Sequence, residues 1–397
     1  MIAGVTAGLV ILLMSVTGVL LTYERQMIAW GDRHYRSVEP APGAHRLPAG
    51  TILEKLTQLQ PGAAPTVVAI GSDAGAPVVV TVPPRVLYLD AYSGQLLGEG
   101  SQGVRQFMSG LRAWHRWLAV TGEGRPIAKA ITGWSNFIFL FIVVSGFYLW
   151  FPRKWAWRQV KPVLMFNARL RGKPRDFNWH NAVGAWSAPI LFIVVLTAMP
   201  ISFPWASALI YRIAGEAPPV PSAAARAGAA ASPRVESVER TPVSDGFERL
   251  NPLWARAERQ VTGWKTITLR LPSASDAPFV FAIDKGNGGQ PQLRSTLTLD
   301  GPSAAVIRYE AFADQTPGRQ ARSISRFAHT GEILGIAGQT AAGLASAGGA
   351  VLVLTGLALA CRRLGAWLKR RAGRRVPQAP AIDSASFGTT DLSLGED

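Results

Sequence analysis

Three of the five histidines in this 397-residue chain stand in matching surroundings: His115 in RAWHRW, His180 in FNWHNAVG and His329 in SRFAHTGE. Each has an aromatic residue beside it or two places before it, and each lies at the mouth of a long apolar run. A neutral imidazole is the commonest metal ligand among side chains. An ionisable group where a chain enters a membrane is costly, which makes it a functional candidate. Imidazoles on facing helices, apolar and aromatic walls, and cations for the propionates are what an axially ligated haem requires. Arg112, Arg116 and Arg326 are placed to meet such carboxylates. Trp114, Trp117 and Trp179 are candidates for packing against the group or, equally, for anchoring helices at the membrane interface. His34 and His45 lie among polar and turn residues and read as surface.

The elements that must position these residues are four apolar spans with one internal signature, a Ser or Thr followed by Gly or Ala late in the run. The pairs are Thr17-Gly18, Ser145-Gly146, Thr197-Ala198 and Thr355-Gly356. A signature recurring at corresponding places marks an internal repeat, and each run is long enough to cross a hydrocarbon core of ~30 Å. The expected fold is mainly α, a four-transmembrane-helix bundle with two small α+β modules on one side. The spans fall at 1–24, 126–151, 179–203 and, with the His329 segment, 326–361. The modules fall at 25–102 and 246–325, each a helix followed by strands separated by Gly, Asp and Pro turns. Between them lie an interfacial helix with His115 (103–125), a basic loop (152–178) and an Ala/Pro/Ser-rich linker (204–245). A basic, then disordered tail is expected over 362–397.

Composition agrees with a few spans plus soluble segments: 48% hydrophobic and 17% charged residues, with a positive mean hydropathy. The net charge of +16 would suggest nucleic acid in a soluble protein, but its distribution argues against that partner. Basic residues crowd after the second span (Arg153, Lys154, Arg158, Lys161, Arg169, Arg171, Lys173, Arg175) and after the fourth (Arg362, Arg363, Lys369, Arg370, Arg371, Arg374, Arg375). That is the positive-inside pattern, which puts both chain ends in the cytoplasm and the modules outside. Ile2–Thr22 lacks the basic flank and small-residue cleavage site of a signal peptide and reads as a retained span. One cysteine, Cys361, excludes an intrachain disulfide and a chain-borne iron–sulfur cluster.

Topology then pairs the ligands. Spans two and four run in the same direction, so His115 and His329 share the outer face and could hold one haem between them. His180 lies near the inner face. Aligning Thr17 with Thr197 places its partner one residue before Met1, so the expectation is a second haem site at His180 whose other ligand lies just upstream.

The WHRW and FAHTGE elements ahead of spans, the SGFYLWFPR ending at Arg153 and LYLDAYSGQLLGE at Leu87–Glu99 resemble the PepSY-associated membrane-helix family. These are iron-regulated inner-membrane proteins that include ferric-siderophore reductases, and the resemblance covers about residues 1–372. It implies PepSY-like periplasmic modules and a di-haem b bundle in the bacterial inner membrane, with His115, His180 and His329 at the family's histidine positions. It further implies electrons passed from a cytoplasmic or quinol donor to a ferric siderophore in the periplasm. No GxGxxG fingerprint is present, so a nicotinamide cofactor is not expected on this chain in that way. The rival reading is a membrane-anchored binding or regulatory protein without redox activity.

Overall fold

The structure is a computed structural model, and it describes residues 2–150, 156–219, 246–272, 274 and 277–373. Phe151–Arg153 and Lys154, most of the predicted linker, and the tail with Arg374 and Arg375 lie outside the described residues.

In chain order, α1 (Ile2–Leu21) and α2 (Glu24–Gly31) lead into α3 (Ala49–Leu59) and strands β1 (Val67–Gly71), β2 (Val78–Val82), β3 (Arg85–Leu89) and β4 (Leu96–Glu99). Next come α4 (Gln102–Trp117), α5 (Arg125–Trp150), α6 (Trp157–Leu164), α7 (Gly172–Ser202) and α8 (Pro204–Ile213). The second half repeats the order with α9 (Leu250–Gln260), β5 (Thr266–Arg270), β6 (Phe279–Asp284), β7 (Arg294–Leu299), β8 (Val306–Ala311), α10 (Pro317–His329) and α11 (Gly335–Gly373).

Apolar runs of this length become helices because a bilayer offers the backbone no other hydrogen-bond partner. Three helices, α5, α7 and α11, are each long and apolar enough to span, and α1 with α2, bent by 45°, makes a fourth candidate. The four close into a ring: α1 packs between α5 and α11, and α7 packs between the same two. Close approach depends on small residues of α11. A β-carbon on Gly349 would lie 3.1 Å from the Ser15 hydroxyl, and one on Gly348 would lie 2.8 Å from Ser187 Cβ. Large apolar side chains such as Leu149 (81% exposed), Phe141 and Leu344 cover the outside of the ring, the face a bilayer contacts.

The two α+β modules are not separate bodies. Their strands form one eight-stranded antiparallel sheet, ordered β4-β3-β2-β1-β5-β6-β7-β8. β1 and β5 pair so that Ala69 faces Thr268, with Val68 on Leu269 and Ile70 on Ile267. Ala69 and Thr268 are the middle residues of their strands, so the register is symmetric about them and the repeat becomes a pseudo-twofold axis. Helices α3 and α9 share one core on the sheet, with Ile52, Leu53, Leu56, Leu253 and Trp254 against Val80, Leu87, Leu269, Phe279, Phe281 and Leu297. Alternate residues of the central strands β1, β2 and β5 are buried, as period-two patterning demands. The turns after β3 and β7 repeat as well: Asp90 accepts from the Tyr92 and Ser93 amides, and Asp300 from the Ser303 amide.

Several predicted boundaries shift. The third span begins at Gly172, not 179, and takes up part of the basic loop. Asn178 explains the extension: its side-chain amide donates to the carbonyls of Pro162 and Met165, tying α6 to this first helical stretch. Residues 204–213 of the predicted linker are the helix α8, opened by a proline at its first position. The fourth helix continues from 361 to Gly373, because nothing between Cys361 and Gly373 breaks it. Residues from Pro317 belong to α10, which packs on α7 and α8 rather than in the second module.

Candidate functional site

Two of the four Ser/Thr–Gly/Ala pairs receive an imidazole directly. Thr17 of α1 meets His115 of α4, with Oγ1 3.0 Å from Nδ1. Thr355 of α11 meets His180 of α7, with Oγ1 2.9 Å from Nδ1. Beside each threonine, the glycine leaves room for the ring: a β-carbon on Gly18 would lie 3.5 Å from His115 Cε1, and one on Gly356 would lie 3.5 Å from His180 Cε1. At the third pair, Thr197-Ala198, His329 of α10 uses the backbone instead and donates from Nδ1 to the Val194 carbonyl at 2.8 Å. The acceptor is equivalent in all three, because the Met14 and Leu352 carbonyls, also three residues before a threonine, face His115 and His180.

The hydroxyl bonds settle the tautomer. A threonine hydroxyl has one hydrogen and two lone pairs. Thr17 gives its hydrogen to the Leu13 carbonyl at 2.7 Å, and Thr355 gives its to the Val351 carbonyl at 2.7 Å. Nδ1–H of His115 and of His180 must therefore be the donor, as it is in His329. Each Nε2 is left with a lone pair, the state of a metal-ligating imidazole whose other nitrogen is held by an outer partner.

His115 and His329 come together, their ring centroids 6.3 Å apart and their planes inclined by 48°. Two metal–nitrogen bonds of ~2 Å, with ~1.1 Å from nitrogen to ring centre in a ring of ~1.33 Å bonds, put centroids about 6.2 Å apart in a bis-imidazole complex. The spacing fits one iron between them. Both residues are partly buried. Burial, then the second imidazole, pulls His115 down to about 4, and burial lowers His329 too; both are neutral and able to ligate.

Cations gather beside this pair. Burial, then the charges of Arg125, Arg326 and Arg112, lowers Arg116 from its ordinary value; Arg322, itself lowered first by burial, stands near Arg326. Arg112 is ion-paired with Glu24, whereas Arg116, Arg125, Arg322 and Arg326 have no carboxylate partner among the described residues. Mutually repelling guanidiniums with no carboxylate partner among the described residues suit an anionic ligand group. Trp114 and Trp179 are 48% and 43% exposed. Trp179 packs edge-on against Phe166, and Trp117 lies under the Arg125 and Arg116 guanidiniums.

His180 stands apart from this pair. Fourteen residues of α7 separate it from Val194, the acceptor for His329, or ~21 Å of helix within a hydrocarbon core of ~30 Å. Among the described residues no second imidazole meets it. Ser145 of the fourth pair donates to the Ile142 carbonyl, and a β-carbon on Gly146 would meet nothing within 4 Å.

α7 serves as an attachment rail in the turn before Pro200. A proline removes one backbone donor and crowds the preceding turn. In that region the Val195 carbonyl accepts from Asn136 of α5 and the Thr197 carbonyl from Ser325 of α10, one turn from His329. Sequence reasoning picked out the three histidines but missed Thr17, Thr355 and the Val194 carbonyl as their partners. The available signal was the four Ser/Thr–Gly/Ala pairs, which served only to reveal the repeat.

A family model described as the PepSY-associated TM region matches residues 1–363, while no curated protein matches the chain. That match spans both halves of the repeat, the bundle and the shared sheet alike, and on it this chain belongs to the PepSY-associated TM region family of multi-pass membrane proteins.

Proposed function

We propose that this protein carries electrons across the bacterial inner membrane and reduces ferric siderophores on the sheet side, so that iron(II) is released for uptake. The observation that carries the proposal is the facing pair His115 and His329, at bis-imidazole spacing and with both Nδ1 protons committed to the spans. These two residues would hold haem b by Nε2. Arg116 and Arg326 would meet its propionates, with Arg112 behind them on Glu24. His180, held by Thr355, would supply one ligand of a second site nearer the other face. Bound haem would supply one-electron exchange at iron, with His115 and His329 as the residues that would hold it. The chain contributes position, a dry setting and a positive field.

Orientation follows from charge. Arg169, Arg171, Lys173 and Arg175 lie at the start of α7, and Arg362, Arg363, Lys369, Arg370 and Arg371 at the end of α11. Arg362 bonds Asp176 at 3.0 Å, so the two basic segments share one end of the bundle, away from the sheet. By the positive-inside rule that end is cytoplasmic and the sheet periplasmic. The donor is then a quinol or a cytoplasmic reductant, and the ferric complex meets the protein at the sheet side.

The test is a reduced-minus-oxidised visible spectrum of the detergent-purified chain, with haem per polypeptide determined chemically. A b-type α-band that is lost in His115→Ala and in His329→Ala, together with oxidation of the reduced protein by a ferric siderophore, is the expected result. A colourless protein expressed with ample haem overturns the proposal and leaves the sheet as a membrane-anchored binding module.

A further inference from the structure

We infer that Asp32 and Glu216 are twin positioning residues, one in each half of the repeat, which clamp the helices bearing His115 and His329 at the ends remote from the imidazoles. The inference rests on the proposed role of that histidine pair. Asp32 directly follows α2, the short helix after the first span, and Glu216 closely follows α8, the short helix after the third. Each reaches the N-terminus of the histidine helix of its own half. Asp32 is buried and accepts from the Ser101 amide at 2.6 Å and from the Tyr88 hydroxyl at 2.7 Å, and it pairs with Arg105 of α4. Glu216 accepts from the Thr316 hydroxyl at 2.7 Å and from the Gly318 amide at 2.8 Å. Both helices lack a cap from their own N-cap side chain, so the carboxylates satisfy amides that would otherwise be orphaned and complement the positive end of the helix dipole.

Close backbone approach supports both clamps. A β-carbon on Gly318 would lie 2.6 Å from Glu216 Oε2, and one on Gly31 would lie 3.2 Å from Ser101 Cβ. The lever is long: Ser101 to His115 is ~21 Å of helix and Gly318 to His329 is ~16 Å. A tilt of about 5° at the clamp would sweep His115 by nearly ~2 Å, where a working site tolerates ~0.5 Å. The hydrogen bonds at Thr17 and Val194 fix the far end. Clamp and bond together define both ends of each helix.

The test uses the full-length chain in detergent. Reduced wild-type haem, ligated from both sides, should not bind carbon monoxide. Asp32→Ala and Glu216→Ala should keep their haem while a carbon-monoxide-reactive fraction appears that the wild type lacks. Glu216→Gln retains an acceptor for the Gly318 amide and should behave as wild type. A second readout needs no haem: spin labels at Ser109→Cys and Ala321→Cys, in a Cys361→Ala background, should show a broader distance distribution when either carboxylate is removed. Haem that stays unreactive in both alanine variants, with unchanged label distances, overturns the inference. So does a haem content that falls only in step with unfolding, which would mark a merely structural role. Should the wild type bind no haem, the proposed function fails, and the label widths alone decide the clamps.

Discussion

The contrast between Gly18 and Gly146 offers a sharp test of the docking geometry. Both glycines follow a hydroxyl residue late in a span, but only Gly18 has an imidazole against it, with His115 Cε1 3.5 Å from the position of an added β-carbon. Gly18→Ala adds an ordinary van der Waals contact and removes a helix-interior glycine, worth up to ~1 kcal/mol, so it should be neutral or mildly stabilising. Gly18→Val adds γ-carbons ~1.5 Å further out, which brings the closest approach down to as little as ~2 Å. The ring, or the helix that carries it, must then move by more than the ~0.5 Å a site tolerates. Overpacking of this kind costs about 1–3 kcal/mol, equivalent to roughly 5- to 150-fold in retention of a ligand held by His115. A β-carbon on Gly146 would meet nothing within 4 Å, so Gly146→Val should leave the His115 site untouched. The assay is the rate of haem transfer from the purified reduced and oxidised chain to an excess of a high-affinity haem acceptor. Wild-type retention in Gly18→Val, or equal losses in Gly18→Val and Gly146→Val, would refute the reasoning.

Thr17→Val removes the hydroxyl that accepts from His115 Nδ1 but leaves the Met14 carbonyl, so the loss should sit near the lower end for an unpaired donor, about 1 kcal/mol, or roughly fivefold faster haem release; Thr17→Ser should restore the wild-type rate. Replacing Arg116 and Arg326 together by Gln removes positive charge that disfavours the oxidised form, so a potentiometric titration should show a lower midpoint potential, and an unchanged or raised one would place these cations elsewhere. Gly50→Ala directs a β-carbon to 2.2 Å from the Phe247 carbonyl oxygen, a backbone atom that cannot rotate away, and should destabilise the sheet layer by about 1–3 kcal/mol in thermal melts followed by sheet circular dichroism. Phe281→Ala empties the middle of the shared core, where Phe281 is fully buried against Trp254, and should cost about 3–5 kcal/mol in the same melts without altering the haem spectrum.

The spans, the direction of their basic flanks and the three histidines were legible from the chain alone, because each is a local matter. A run of some twenty apolar residues has one way to satisfy its backbone in lipid, and a histidine at the mouth of such a run is conspicuous wherever it packs. Helix–strand order in the outer segments was legible too, since alternation in Val78–Val82 and Phe279–Asp284 records which face of a strand is buried. The union of the two modules was not. Nothing in Val67–Gly71 or Thr266–Arg270 distinguishes an edge strand from a central one, and their pairing joins residues two hundred positions apart. Only the packed structure brings the two edges together.

The same division runs through the site. Composition marked His115, His180 and His329 as residues able to ligate, and the Ser/Thr–Gly/Ala pairs as a repeat. Which pair serves which histidine was decided by helix packing: α4 lies on α1 and α10 on α7, which aims Nδ1 of His115 and of His329 at a span and brings the two rings within 6.3 Å. Likewise Asp32 and Glu216 look like ordinary acidic residues after short helices until the fold carries them to the N-termini of α4 and α10. Residue chemistry and local periodicity are properties of neighbours in sequence. Tautomer, ring spacing and clamp are properties of neighbours in space, and those exist only once the repeat has closed on itself.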